Sequence, residues 1–304
     1  MTILEYLLDS DPSIKRLVTI KLLDNPYPYE VSPLINRYLD LFNHETNTWT
    51  GIYSPKWIST FYTLRELIQF GIDQNNMIFQ KGIDTIIKNM WHKDTFIEDD
   101  ICVVAMMVSM LCYAKRDKKI IDEMIDYLLL KQMKTDGGWN CACLRHETQH
   151  SSINTTLSVL EAFRDYKHYG YTNQLALLEQ PNQDGIEYLL RKKLYLRETT
   201  NEPILSYVTD IHFPIRWQYD LYRGLEYLAS INYRVDTRMN QALDIVKKSF
   251  KNGLSKAGPK YSGKTHFKLD KDVLIKMNTL RGLSILKVYD SALYEAYVSM
   301  RILD

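Results

Sequence analysis

EMIDYLLLKQMKTDGGWNC (Glu123–Cys141) and, shortly after it, HSSINTTLSVLEAF (His150–Phe163) decide how this chain folds. The first segment begins as a charged, amphipathic helix and stops at the Gly137–Gly138 pair, a strong break in helical periodicity. The second carries an apolar stripe at Ile153, Leu157, Leu160 and Phe163, the three- and four-residue spacing of a second helix. One outer-type helix, a polar loop and one better-buried helix make a helical hairpin. Outward from it the pattern recurs. The charged type returns in KGIDTIIKNM from Lys81, DGIEYLLRKKL from Asp184 and QALDIVKKSF from Gln241. The buried type returns in SPKWISTFYTLRELI from Ser54, EDDICVVAMMVSML from Glu98, PIRWQYDLYRGLEYL from Pro214 and LIKMNTLRGLSIL from Leu274.

Strand-like alternation is almost absent, so the chain reads as all-α. The spacing predicts helices over 12–23, 31–42, 54–71, 77–90, 98–114, 119–133, 150–167, 182–194, 214–230, 236–250, 272–289 and 291–302. Twelve helices are six hairpins. Alternation of outer and inner types over residues 1–304 predicts a single (α/α)6 toroid domain, a double ring of six helical hairpins, with an open superhelix as the alternative.

Composition limits what such a protein does. The 304 residues carry 38 Lys plus Arg against 37 Asp plus Glu, a net charge of +1, which argues against nucleic acid or an anionic membrane as partner. Only 12 glycines and as many as 22 tyrosines fit a helical chain with many amphipathic rings to bury. The most apolar stretch, Ile101–Ala114, is too short to span a bilayer and reads as a helix buried on every side. Met1–Asp11 has no signal-peptide pattern, and four cysteines (Cys102, Cys112, Cys141, Cys143) suit reduced thiols. A cytoplasmic location is the expectation.

QMKTDGGWNC (Gln132–Cys141) with TLSVLEAF (Thr156–Phe163) resembles the repeat of squalene–hopene cyclases and of protein prenyltransferase β subunits, which share an α/α toroid. DPSIKRLVTIKLLD (Asp11–Asp24), GIYSPKWISTFYTLREL (Gly51–Leu67), GGWNC (Gly137–Cys141), FPIRWQYDLYRGLEYL (Phe213–Leu228) and MNTLRGL (Met277–Leu283) also look like a bacterial family of prenyltransferase-like or squalene-cyclase-like proteins. That resemblance runs along nearly the whole chain. It implies an isoprenoid or other apolar substrate in a central lumen, possible zinc as the cofactor, and a terpenoid cyclase or prenyltransferase type of chemistry. A non-catalytic toroid that binds a lipid, peptide or protein partner is the alternative.

Candidate residues follow. Squalene–hopene-type cyclases start an inner helix with Asp-x-Asp-Asp, whose acid protonates an alkene. The resemblance puts Asp99 in that role with Asp100 beside it, although Ile97 stands where the motif's first acid belongs. A proton-donating carboxyl needs burial and a like-charged neighbour to raise its pKa. Without those, acids at a helix start only complement its dipole. Prenyltransferase β subunits hold zinc through Asp-x-Cys and a later His. Asp100-Ile101-Cys102 reproduces the first part, and His150 stands one turn before Asn154, the position where a His is common. The intervening loop adds Cys141, Cys143 and His146 with Glu147 among them. Thiolate and imidazole suit Zn²⁺, so Asp100, Cys102, Cys141 and His150 are the candidate ligands. Set against this, Cys112 and Cys102 also read as small core residues.

Aromatic residues cluster before the inner helices. Trp57, Phe61, Trp217 and Tyr219 are candidates for lining an apolar pocket, whereas Trp139 and Trp49 read as packing between repeats. Arg223 and Arg281, with Asn154, are candidate substrate contacts, the arginines for a diphosphate. Interhelical salt bridges explain those arginines equally well, and Asp220 is spaced to pair with Arg223. GPKYSGK (Gly258–Lys264) lacks the Walker pattern and reads as a solvated loop.

Overall fold

A computed structural model describes residues 1–91, 100–144 and 147–302 of the chain. Among the described residues there are helices and isolated β-bridges but no strand. Thirteen α-helices occur there: α1 Ile3–Leu8, α2 Pro12–Leu23, α3 Pro33–Leu39, α4 Thr60–Gln69, α5 Met77–Met90, α6 Ile101–Tyr113, α7 Lys118–Leu130, α8 Ile153–His168, α9 Leu175–Arg191, α10 Leu221–Ser230, α11 Asn240–Ser249, α12 Lys271–Tyr289 and α13 Ser291–Ser299. No described helix is long and apolar enough to cross a membrane.

Caps explain where the helices begin. Asp11 accepts the Ser13 amide with Pro12 at the first helical position of α2, and Asn76 accepts the Ile78 and Phe79 amides of α5. Both helices have the bounds their periodicity predicts. Several starts are later than expected, three of them at connections that matter below. α4 begins at Thr60 rather than 54, α8 at Ile153 rather than 150, and α10 at Leu221 rather than 214. At α10 the cause is visible: the Asp220 carboxylate takes the backbone amide of Arg223, so Asp220 is an N-cap and the residues before it lie outside the helix. Trp57, Trp217, Tyr219 and His150 therefore sit in the connections, not in first helical turns. α9 errs the other way and starts seven residues early, running through Pro181, which forfeits one backbone bond. A capping box between Thr2 and Glu5 forms α1, which periodicity misses because it is only six residues long.

The described chain divides into two compact units. One comprises Met1–Asp73, Lys193–Arg216 and Asp220–Asp304; the other comprises Gln74–Lys192 and Trp217–Tyr219. In the second, α6 packs along α8, and each lies against its neighbour, α7 and α9 respectively. α6 is buried on every face, as its uninterrupted apolar run requires, from Val103 through Val108 and from Met110 through Cys112. In the first unit α12 is central, with α2, α10, α11 and α13 all packed on it.

One junction geometry recurs. In the second unit the Trp139 amide donates to Thr156 Oγ1 (3.0 Å), and its indole donates to the Leu128 carbonyl at the end of α7 (2.7 Å). In the first unit the Trp49 amide donates to Thr60 Oγ1 (3.1 Å), and its indole donates to the Tyr38 carbonyl at the end of α3 (2.6 Å). A third case keeps half of it, the Ser255 amide donating to Thr279 Oγ1 (3.0 Å). Each threonine stands in an inner-type helix and satisfies a buried amide of the loop before it. Trp139 and Trp49 are buried, the packing role that the sequence gives them. Gly138 cannot carry a side chain here, since a Cβ would lie 2.6 Å from Thr156 Oγ1.

Candidate functional site

The recess that stands out belongs wholly to the first unit. It holds about 680 Å³ of space, open mouth included, and its wall comes from α3 (Tyr38), α4 (Glu66), the segment before α10 (His212 to Arg216) and the segment before α12 (Pro259 to Leu269). Tyr38, Phe213, Tyr261 and Phe267 supply aromatic surface. Tyr38 lies against Phe267 with ring centroids 4.6 Å apart.

Two polar groups are set into that wall. Glu66 and Arg216 form a buried ion pair, and Glu66 Oε2 also accepts the Tyr38 hydroxyl (2.6 Å). The Arg216 guanidinium lies over the Trp57 ring, 4.8 Å from its centroid, so the charge is neutralised on one side and covered on the other. His266 accompanies this pair. Its Nε2 lies 2.7 Å from Thr63 Oγ1. Burial first, and the Arg216 charge second, push its pKa down to about 4, so the ring is neutral near pH 7.

The second polar group is His212. Its Nδ1 lies 3.3 Å from Asp220 Oδ2, and its ring stacks on Tyr261 at 4.2 Å with an interplanar angle of 11°. Asp220 is buried, which by itself would raise its pKa. The Arg281 charge, the His212 hydrogen bond and the Arg223 amide outweigh burial and hold it below the usual carboxylate range. An ionised carboxylate only accepts, so the proton between the two is on Nδ1. Arg281 braces both partners, with Nη2 3.3 Å from Asp220 Oδ1 and Nη1 donating to the His212 carbonyl (2.5 Å), while Nε donates to Glu226 Oε2 (2.8 Å). The Tyr261 hydroxyl is buried with no hydrogen-bond partner among the described residues. Lys260 is exposed at the rim. The arrangement offers a flat aromatic wall, an imidazole oriented by a carboxylate and a cation near the mouth.

The residues singled out from sequence distribute unevenly around this recess. Trp57 is just behind it, its indole donating to the Ser262 carbonyl (2.8 Å). Arg281 does not line it; it is the interhelical ion-pair residue of α12 against α10, the second of its two readings. Arg223 is likewise buried, and Asp220 takes its amide as a cap. Phe61 is core, edge-on to Tyr53 and Tyr62. Asn154 accepts the Tyr219 amide (2.7 Å) through Oδ1, a structural bond within the second unit, where Trp217 also belongs. The Gly258–Lys264 segment corrects its reading as a solvated loop, because Pro259, Lys260, Tyr261 and Gly263 form recess wall. His212 and Tyr261 carry no motif. Asp220 eight residues after His212 is too common a spacing to draw notice.

The candidate metal ligands lie in the second unit. The Cys102 amide donates to Cys141 Sγ (3.2 Å), and Thr155 Oγ1 lies 3.4 Å from the same sulfur. A hydrogen bond from the Cys102 thiol is the largest influence on Cys141. With the Thr155 hydroxyl and the Cys102 amide it outweighs burial and brings the Cys141 pKa down to about 7. Asp100 is the N-cap residue of α6, without a side-chain cap bond. His150 is exposed, and its carbonyl accepts from Asn140 Nδ2 (2.7 Å). Asp99, Glu98 and His146 lie outside the described residues. Among the described residues no three His, Cys, Asp or Glu side chains gather as metal ligands. What is gathered among the described residues is two neighbouring cysteines, fewer than the three protein ligands of a catalytic zinc site. Cys112 is core, and burial pushes its thiol pKa up.

Compared with protein-family models, curated proteins and solved structures, the chain matches none.

Proposed function

We propose that the protein binds a small molecule with an apolar body and a polar or anionic end, of the isoprenoid kind, in the recess of the first unit, and acts on it by proton transfer through His212. The observation that carries this is the imidazole on the recess wall, oriented by an ionised Asp220 that Arg281 holds in place. That is how a general base is built: one ring nitrogen is fixed by a carboxylate and the other is left to accept. The aromatic wall suits the apolar body, and Lys260 suits an anionic end. The recurrence of the amide-to-threonine junction, twice with a tryptophan and once with Ser255, supports an α/α toroid as the wider architecture, the frame that the prenyltransferase-like resemblance implies.

Calorimetric titration tests the reading. Farnesyl diphosphate, farnesol and inorganic diphosphate are titrated separately into wild type, Tyr261→Ala and Lys260→Ala. Binding of the first two, weakened about tenfold or more by the Tyr261 change, is expected, with Lys260→Ala weakening only farnesyl diphosphate. Failure of all three to bind overturns the isoprenoid reading. A second reading, a non-catalytic binder of the same ligand, gains if His212→Gln binds as well as wild type and no proton exchange or product appears with either.

A further inference from the structure

We propose that Cys141 and Cys102 form a reactive dithiol, in which Cys141 is the attacking sulfur toward a hydroperoxide and Cys102 resolves the product as an intramolecular disulfide. This stands apart from the recess, which belongs to the other unit. Two groups converge on Cys141 Sγ: the Cys102 amide, which donates at 3.2 Å from the first turn of α6, and the Thr155 hydroxyl, whose oxygen lies 3.4 Å away. Together they favour a sulfur anion over a thiol, which makes Cys141 the nucleophile of the pair. Thr155 is fixed in α8, so this environment belongs to packed helices and not to a loop alone. The Cys102 backbone nitrogen lies 3.2 Å from Cys141 Sγ, so the two cysteines are immediate neighbours across 39 residues of sequence. Both cysteines are half-buried and reachable by a small oxidant, whereas Cys112 is sealed in the core.

The chemistry balances. The Cys141 thiolate attacks the distal oxygen of hydrogen peroxide; the O–O bond breaks, hydroxide leaves and takes a proton, and Cys141 becomes a sulfenic acid. Cys102 loses its proton and attacks the Cys141 sulfur, the S–O bond breaks, and the hydroxyl leaves as water. In total two thiols are oxidised to one disulfide and one peroxide is reduced to two waters.

Reduced full-length protein is exposed to stoichiometric hydrogen peroxide, quenched by alkylation and mapped by mass spectrometry. Loss of two hydrogens and a Cys102–Cys141 linked peptide pair are expected, with Cys112 still alkylated only after unfolding. Cys102→Ser should stop at a sulfenic acid on Cys141 that a cyclic 1,3-dione traps. Cys141→Ser should slow oxidation of Cys102 by about tenfold or more. Circular dichroism of both serine variants guards against misfolding. Retention of free thiols in folded wild type, a disulfide from Cys141 to Cys143 in place of Cys102, or equal oxidation of Cys102 in Cys141→Ser would overturn the proposal.

Discussion

Replacing Thr156 by Val separates the hydrogen bond of the helical junction from its packing. Thr156 is fully buried in α8, accepts the Trp139 amide at 3.0 Å, and donates to the Trp139 carbonyl at 3.3 Å. Valine fills nearly the same volume but offers neither function, so a buried N–H is left without a partner. Such an orphan costs about 1–3 kcal/mol. Thr156→Ser keeps the hydroxyl and loses one buried methyl, about 1 kcal/mol. Relief is not available from the loop, because Gly138 and Ser151 crowd the same space, Ser151 Oγ lying 2.8 Å from where a Gly138 Cβ would stand. The expected order of stability is therefore wild type, then Ser, then Val. Urea unfolding followed by circular dichroism and by tryptophan fluorescence gives the midpoints. Thr60→Val and Thr60→Ser form the same comparison at the Trp49 junction, where Thr60 Oγ1 also donates to the Gly51 carbonyl (2.7 Å). If Val equals or exceeds Ser at both positions, the junction is held by shape alone and the reasoning fails.

Other outcomes follow from the recess and its supports. Arg281→Met leaves Asp220 and Glu226 without their buried cation and should cost about 3–5 kcal/mol, read as a fall in the urea midpoint at pH 7. Because the Asp220 pKa is held below its unfolded value of about 3.9, its contribution is present above that pH and disappears as pH falls through the lower folded value; the variant should lose this acid-side dependence. His266 has the opposite sense: its folded pKa is lowered from 6.5 to about 4, so full stability exists above 6.5 and declines as pH drops toward 4. His266→Gln should flatten that interval in a series of urea melts, and an unchanged slope would show that another group titrates there. Gly258→Ala is expected to disrupt the recess wall, since Gly258 has φ +73° and a Cβ would sit 2.0 Å from the Ile211 carbonyl oxygen. Loss of farnesol binding with helicity retained checks it.

The sequence displays its helices more openly than its site, and particular residues show why. α2 and α5 are bounded by side-chain caps that stand next to clean apolar stripes, so composition and geometry agree. α10 reads too long because Pro214 resembles a helix start, while Asp220, the actual cap, looks like half of a surface pair with Arg223. The recess is less legible still. His212, Tyr261 and His266 come from connections whose paths depend on long-range hydrogen bonds, and periodicity says nothing about those. Arg281 is a different case: a charged residue in an inner helix reads as a ligand contact or as an ion-pair residue, and its acidic neighbours, Asp220 at the cap of α10 and Glu226 within it, are ones that no spacing rule pairs with it. Cys102 and Cys141 read as metal ligands because thiols with nearby histidines suit zinc; what the fold gathers among the described residues is the thiols alone.

The segment behind the recess has a consequence for the order in which the chain acquires its structure. The Trp57 amide donates to the Lys264 carbonyl (3.0 Å), the Lys264 amide donates to the Lys56 carbonyl (3.2 Å), and the Trp57 indole donates to the Ser262 carbonyl 205 residues away. Those bonds close a loop of most of the protein, whereas α6 to α9 lie in one continuous stretch between Gln74 and Lys192. Closing the longer loop costs more entropy and rewards it later, so the unit around α6 and α8 should gain protection first and the recess last. In pulse-labelled hydrogen exchange during refolding, the amides of α6 and α8 should be protected before the Trp57 and Lys264 amides; simultaneous protection would refute that order. A chain arrested early would then hold the thiol pair in place before it could hold a ligand in the recess.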